Sequence, residues 1–125
     1  MGRTDQDKIK MLFDYTVFHI GIYMTLATLL VSFLAAELSQ KIIALRISHE
    51  GVIAAIVFIG MAGIAGGVIA SSLPESDSLT SFLQKKTGPW DTALLSGRGW
   101  TRLEHTSFWL GVVVAAITFA SAKPT

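Results

Sequence analysis

Residues 52–73 of this chain read VIAAIVFIGMAGIAGGVIASSL, a stretch without a charged side chain. An α-helix needs about 20 mostly apolar residues to cross the roughly 30 Å hydrocarbon core of a bilayer. Two further apolar runs of similar length occupy residues 12–36 and 103–122. The sequence therefore predicts an all-α membrane protein in which three transmembrane helices form a small bundle, with residues 1–125 making one integral membrane domain.

The composition limits the functions that the chain can perform. It has 125 residues, of which 51% are hydrophobic and 15% are charged, whereas soluble domains carry about 25% charged residues. The formal net charge of +1 provides no basic surface for nucleic acid. The chain has no cysteine, which excludes disulfides, thiolate nucleophiles and iron–sulfur clusters. No catalytic motif is present, so we expect neither an enzyme nor a catalytic residue.

The distribution of positive charge predicts how the chain is threaded through the membrane. Three spans place the termini on opposite sides, and the side richer in Lys and Arg is usually cytoplasmic. The N-terminal tail and the second loop, residues 74–102, share one side and carry seven such residues, against three on the other side. The two sets are Arg3, Lys8, Lys10, Lys85, Lys86, Arg98 and Arg102, against Lys41, Arg46 and Lys123. We therefore expect a cytoplasmic N-terminus and second loop, in a bacterial inner membrane.

The second loop is long for so small a protein, and the positions of its proline and glycine residues predict short helices. One helix is expected to end at Gly88, and another to begin at Pro89 and end at Gly97, because proline favours helix starts and glycine favours helix ends. Trp90 and Trp100 are suited to the headgroup level of a bilayer, where tryptophan is enriched. The loop is therefore expected to lie along the membrane surface.

Four glycines in the second span predict close helix packing. They are Gly60, Gly63, Gly66 and Gly67, and Gly63 with Gly67 forms a G-x-x-x-G pair. Small residues four positions apart let another backbone approach closely, which favours helix association in lipid. The partner is either another helix of the same chain or a helix of another subunit.

Polar side chains in the first and third spans predict a cluster near the cytoplasmic leaflet. His19 lies within the first span, and Tyr15 and Tyr23 share its helical face because they are four residues away. By the predicted threading, Glu104 and His105 enter the third span from the same side. The predicted cluster consists of Asp14, Tyr15, His19, Tyr23, Glu104, His105 and Trp109.

Several chemistries fit this cluster. His19 and His105 on facing helices are candidate axial ligands of haem b or of a related pigment. The same histidines, with nearby carboxylates, are candidates for a proton relay. A divalent metal is the weakest alternative, and we expect no metal site. The remaining alternative is purely structural hydrogen bonding. On the opposite side of the membrane, His49 and Glu50 are expected to form a small polar cluster with Glu37.

Three hypotheses of function follow from these features. The first is a small non-enzymatic accessory, anchoring or regulatory subunit that contacts a protein partner, or copies of itself, through its helices and loop. The second is a haem- or pigment-binding membrane anchor in electron transfer. The third is an oligomeric transporter of protons, ions or small molecules, since three helices alone are too few to enclose a wide path.

Overall fold

The computed structural model describes residues 4–39 and 45–124. Its first, second and fourth α-helices are long and apolar enough to cross a membrane. In chain order, the elements are α1 (Asp5–Leu38), β1 (Leu45–Arg46), α2 (His49–Ser72), a 3-10 turn (Leu73–Glu75), α3 (Leu79–Gln84), β2 (Lys86–Thr87), a second 3-10 turn (Pro89–Asp91), β3 (Leu95–Ser96), α4 (Gly97–Ala120) and β4 (Lys123–Pro124). The architecture confirms the prediction of a mainly helical chain with three helices of membrane-spanning length.

Each long helix begins at a polar cap. The Asp7 N–H donates to Thr4 Oγ1 at 3.2 Å and the Thr4 N–H donates to Asp7 Oδ2 at 3.3 Å, which is a reciprocal capping box. The side chains of Ser48 and Ser96 accept backbone N–H groups at the starts of α2 and α4. Gly97, predicted to end a short helix, is instead the first residue of α4, because Ser96 caps the helix there.

The apolar runs located the spans but not their ends. The predicted first span starts at position 12, whereas α1 begins at Asp5. The predicted third span starts at position 103, whereas α4 begins at Gly97. Both helices begin with polar and charged turns before the apolar run. The capping residue determines where a helix starts, whereas hydropathy identifies only the segment that is apolar enough to lie in lipid.

The middle helix α2 packs along both α1 and α4. Its residues Ala55, Ala62 and Ala65 have no exposed surface, and their small side chains bring the neighbouring backbones close. A Cβ atom added at Gly111 of α4 would lie 2.8 Å from Cγ1 of Ile59 and 3.3 Å from the carbonyl oxygen of Ala55. Glycine is therefore required at position 111 for the α2–α4 contact.

Helices α1 and α4 meet through large side chains along a contact that we call the α1–α4 seam. The rings of Tyr23 and Phe108 lie 5.0 Å apart, and further along the seam those of Phe33 and Phe119 lie 5.2 Å apart. A cavity of about 390 Å³ also borders the seam, and residues of both helices line it, including Leu26 and Phe119. The helices are thus less closely packed along the seam than along their contacts with α2.

The second loop folds against the end of α2. One short helix, α3, is present there but ends at Gln84 rather than at Gly88. The helix predicted from Pro89 to Gly97 is wrong: Pro89–Asp91 is a single turn in which Trp90 has left-handed backbone angles, and the antiparallel β2–β3 hairpin between residues 86 and 96 was not predicted. The Ser72 and Thr87 hydroxyl groups are 2.9 Å apart, and Trp100 Nε1 donates to the Thr87 carbonyl at 2.8 Å. Trp100, expected at the headgroup level, is buried in the core against α3. Trp90 is 93% exposed at the hairpin tip.

At the other end of the bundle, the residues after α4 pair with those before α2. Strands β1 and β4 are antiparallel, with Arg46 opposite Lys123. This end of the bundle is therefore formed by the end of α1, the start of α2 and the end of α4, as three antiparallel spans require. Two of the cations that were used to predict the threading, Arg3 and Lys41, lie outside the described residues.

Candidate functional site

A buried hydrogen bond joins the first and third long helices. The Tyr23 hydroxyl group donates to Glu104 Oε1 at 2.7 Å, across the α1–α4 seam. Tyr23 is 1% exposed and Glu104 is 2% exposed. The sequence placed both residues in one polar cluster, but it gave no reason to pair these two rather than others. Their pairing follows from the parallel course of α1 and α4 on either side of α2.

Small residues make room for this pair. Gly66 of α2 faces it: an added Cβ atom there would lie 2.9 Å from Cγ1 of Ile20 and 3.8 Å from Cδ of Glu104. Thr16 of α1 and Ser107 of α4 are also buried. Helix α2 contributes only apolar and glycine residues between positions 62 and 69. Tyr23 and Glu104 therefore form a hydrogen bond with each other, and α2 brings no polar side chain to this level.

Of the two histidines predicted to act together, His19 lies one turn before Tyr23 on α1, and His105 directly follows Glu104 on α4. His19 is half-buried, and its Nδ1 lies 2.8 Å from the carbonyl oxygen of Tyr15, within α1. The His19 ring lies 3.9 Å from the Tyr15 ring and 6.2 Å from the Tyr23 ring, by centroid distance. The ring of half-buried His105 is 6.5 Å from that of Tyr15. Tyr15 thus contacts both histidines.

Two predicted members stay outside the cluster. Asp14 is exposed and accepts a hydrogen bond from Lys10 Nζ at 2.8 Å, one turn earlier on α1. Trp109 is 61% exposed, and its ring neighbours Phe108 at 5.4 Å. The described cluster therefore consists of Tyr15, His19, Tyr23, Glu104 and His105, which we call the seam cluster.

The seam cluster brings together imidazole and carboxyl groups, which haem ligation or a proton relay would use. If Nδ1 of His19 carries the proton, it donates to Tyr15, and the unprotonated Nε2 is then free to bind iron, as in many histidine ligands. No group of three His, Asp or Glu residues in the ranges 4–39 and 45–124 is arranged to hold a metal ion. Haem ligation by His19 and His105 stays a prediction.

The glycines of α2 divide into two kinds. Gly66 packs inside the chain, as described above. Cβ atoms added at Gly60, Gly63 and Gly67 would have nothing within 4 Å. These three glycines lie on the outer side of α2 with Met61 and Ile64, which are 39% and 64% exposed. We call this surface the outer face of α2.

The predicted cluster at the opposite end of the bundle is present in part. His49 Nε2 lies 3.1 Å from Glu37 Oε2, although the approach lacks the alignment of a hydrogen bond. Glu50 lies at the same end and bonds the Ser48 hydroxyl group at 3.2 Å. These residues border an open depression of about 570 Å³, which also takes in Lys123. The depression is wide and charged, and Glu37 lies 14 residues after Tyr23 on α1, which is about 20 Å along the helix axis.

Comparisons with other proteins add no functional assignment. No model of a protein family, no curated protein and no solved structure matches this chain. The interpretation of its function therefore rests on two features of its own geometry. These are the seam cluster, with its buried Tyr23–Glu104 pair, and the unpacked outer face of α2.

Proposed function

We propose that this protein is a non-enzymatic integral membrane subunit that binds a protein partner, or further copies of itself, through the outer face of α2. In this role it anchors, assists or regulates that partner. Three helices of spanning length support membrane insertion. The excess of Lys and Arg in the N-terminal tail and second loop supports a cytoplasmic N-terminus, in a bacterial inner membrane.

The observation that carries this proposal is the open space beside three of the glycines. Gly60, Gly63 and Gly67 have no neighbour that a methyl group would touch, so packing within the chain does not require glycine at these positions. Glycine lowers helix stability by about 1 kcal/mol relative to alanine in water. A smooth glycine face is nevertheless useful in lipid, because it allows a second helix to approach closely and to gain van der Waals contact.

The side chains around these glycines are suited to such a contact. Ile53, Val57 and Ile64 lie one or two turns apart on the same side of α2, and each is about half exposed or more. None of these residues is charged, so a partner helix would be recognised by shape and close packing. The hairpin tip with exposed Trp90 lies at one end of the bundle and offers a second contact outside the spans.

The experiment that tests this proposal is Gly63→Leu, with Gly21→Leu as the matched control. Gly21 is an exposed glycine of α1 that also has nothing within 4 Å of an added Cβ, but no other glycine lies on α1. The measurement is the mass of the protein assembly in mild detergent, by light scattering. We expect Gly63→Leu to reduce the assembly mass and Gly21→Leu to leave it unchanged.

Cysteine cross-linking in the native membrane then separates the two kinds of partner. The chain has no cysteine of its own, so a single cysteine at position 63 is a clean probe. A disulfide-linked dimer of this chain would identify the outer face as a contact between copies. If the wild-type protein is a monomer in membranes and in detergent, and Gly63→Leu changes nothing, the proposal is wrong.

A further inference from the structure

We propose that a phospholipid of the phosphatidylethanolamine class binds to this protein where α1 and α4 end. Its head group occupies the charged depression at that end, and one acyl chain occupies the apolar cavity of the α1–α4 seam. This inference rests on the membrane insertion proposed above, but not on the subunit role of the outer face of α2. It is supported by the charges of the depression and by the position of the cavity.

Two cations on one side of the β1–β4 pair provide a place for the phosphate. Arg46 lies directly opposite Lys123 in this antiparallel pair, and the side chains of opposed residues lie on the same face. Both residues are exposed, and both line the depression. Like charges in opposed positions destabilise a strand pair, and neither cation belongs to an ion pair with the described residues. A phosphate between them removes this repulsion, and arginine binds phosphate through two parallel hydrogen bonds.

Two carboxylates in the same depression provide partners for the amine of the head group. Glu37 near the end of α1 and exposed Glu50 at the start of α2 line the depression together with the two cations. These carboxylates repel a head group that is only negative, whereas a phosphate with an ammonium group finds a partner for each charge. A primary ammonium group also donates three hydrogen bonds, and the quaternary ammonium of phosphatidylcholine donates none. The charges therefore favour phosphatidylethanolamine over phosphatidylglycerol and phosphatidylcholine.

The apolar cavity lies next to the depression along the bundle. On α1, Phe33 lines the cavity, and Glu37, one turn later, lines the depression. On α4, Phe119 lines the cavity, and Ser121, just after the helix, lines the depression. Since α1 and α4 both end here, the cavity and the depression follow one another along the same two helices. A head group in the depression therefore places its acyl chains at the level of the cavity.

The cavity has the depth and the opening that an acyl chain needs. Its lining on α1 begins at Leu26, eleven residues before Glu37, which is about 16 Å along the helix axis. Half of the roughly 30 Å hydrocarbon core is about 15 Å, so the cavity reaches the depth of one leaflet. Leu29 and Phe119 of its lining are 61% and 38% exposed, so the cavity is open to the surrounding lipid. An acyl chain of that leaflet can thus enter it from the side.

The cavity and the depression contribute differently to binding. Lipid tails are as apolar as the leucine and phenylalanine side chains of the lining, so a chain in the cavity gains van der Waals contact but no hydrophobic free energy. Every phospholipid offers that contact. The choice among phospholipids therefore depends on the depression, where the charges lie.

Native mass spectrometry of the purified protein tests this site. The protein is reconstituted in vesicles of equal parts phosphatidylethanolamine, phosphatidylglycerol and phosphatidylcholine with identical acyl chains, and is then extracted in mild detergent. We expect one phosphatidylethanolamine to remain bound in preference to the other two lipids. Lys123→Gln should weaken its retention about fivefold, which is the effect of one Lys or Arg at a lipid head group. Lys8→Gln removes the same charge from an exposed position at the start of α1 and should leave retention unchanged.

Three further variants separate the head group from the acyl chain. Glu50→Gln keeps the size of an exposed side chain but removes a carboxylate, so retention should shift from phosphatidylethanolamine toward phosphatidylglycerol. Ala115→Phe fills part of the apolar cavity and should reduce the retention of all three lipids. Val113→Phe places the same ring two residues earlier on α4, at a half-exposed position outside the cavity lining, and should not reduce retention.

Two results would overturn the proposal. One is a wild-type protein that retains phosphatidylglycerol or phosphatidylcholine at least as strongly as phosphatidylethanolamine. The other is equal retention by the wild type, Lys123→Gln and Ala115→Phe; if Ala115→Phe fails to fold, Lys123→Gln decides alone, because Lys123 is exposed and outside the helices. Extraction by alkaline carbonate tests insertion separately. An extracted protein overturns insertion and the lipid site together, whereas an inserted protein without bound phosphatidylethanolamine overturns the lipid site alone.

Discussion

The side chain that most affects stability at the seam cluster is that of Tyr23. Replacing it with phenylalanine keeps the ring that packs on Phe108 but removes the donor to Glu104, whose oxygen is then buried without its partner. A buried polar group that loses its partner costs about 1–3 kcal/mol, and hydrogen bonds in membrane proteins average about 0.6 kcal/mol. We therefore expect Tyr23→Phe to lower stability by about 1 kcal/mol.

Thermal unfolding in detergent measures this effect, with Tyr15→Phe as the control. Tyr15 is 48% exposed, and its hydroxyl group forms no hydrogen bond with the described residues. The two variants delete the same atom from the same helix, two turns apart. Equal unfolding temperatures for Tyr23→Phe and Tyr15→Phe would show that the Tyr23–Glu104 bond does not stabilise the bundle.

A glycine is needed for packing between helices only where an added Cβ atom would meet atoms of another helix. At Gly111 an added Cβ would meet backbone as well as side-chain atoms of α2, whereas at Gly67 it would meet nothing. Overpacking of a close contact costs about 1–3 kcal/mol because backbones must move apart. We expect Gly111→Ala to destabilise the bundle by about this amount and Gly67→Ala to leave stability unchanged or slightly higher.

Chemical denaturation followed by circular dichroism compares the two alanine variants. Because both substitutions add one methyl group to a glycine of a long helix, helix propensity acts equally on both and cancels. The difference between the variants then reports the α2–α4 contact alone. A stability loss at Gly67 equal to that at Gly111 would contradict the description of the outer face as unpacked within this chain.

The long helices were predictable from the sequence because the signal for each lies within the helix. A helix must have about 20 mostly apolar residues to cross the bilayer, whatever the other helices do. This requirement is visible in the apolar runs at 12–36, 52–73 and 103–122. The β2–β3 hairpin was not predictable, because its order depends on contacts with distant residues. The Thr87 carbonyl binds Trp100, and its hydroxyl binds Ser72.

The membership of the candidate site was predictable only in part, since Asp14 and Trp109 lie outside it, and its pairing was not predictable. Spacing of four residues on α1 correctly grouped Tyr15, His19 and Tyr23. The bond from Tyr23 to Glu104 depends on the axial register between α1 and α4, which is set by the packing of both helices on α2. The exposure of Trp109 likewise depends on the rotation of α4 about its axis, which hydropathy does not specify.

For the whole molecule, three spans require that the two ends of the bundle lie on opposite sides of the membrane. Thr92 belongs to the hairpin at one end, and Ser121 follows α4 at the other; both side chains are exposed. The natural chain has no cysteine, so Thr92→Cys and Ser121→Cys each carry a single thiol. A maleimide that does not cross membranes should label the two variants from opposite sides.

The direction of labelling also tests the predicted orientation. In inverted vesicles of the bacterial inner membrane, Thr92→Cys should react at once, and Ser121→Cys only after the membrane is permeabilised. The expected order follows from the Lys and Arg residues of the hairpin end, such as Lys85 and Lys86, because the charge distribution predicts that this end is cytoplasmic. The reverse pattern would be consistent with three spans in the opposite orientation. Labelling of both thiols from the same side would exclude three spans, because an odd number of membrane crossings must separate Thr92 from Ser121.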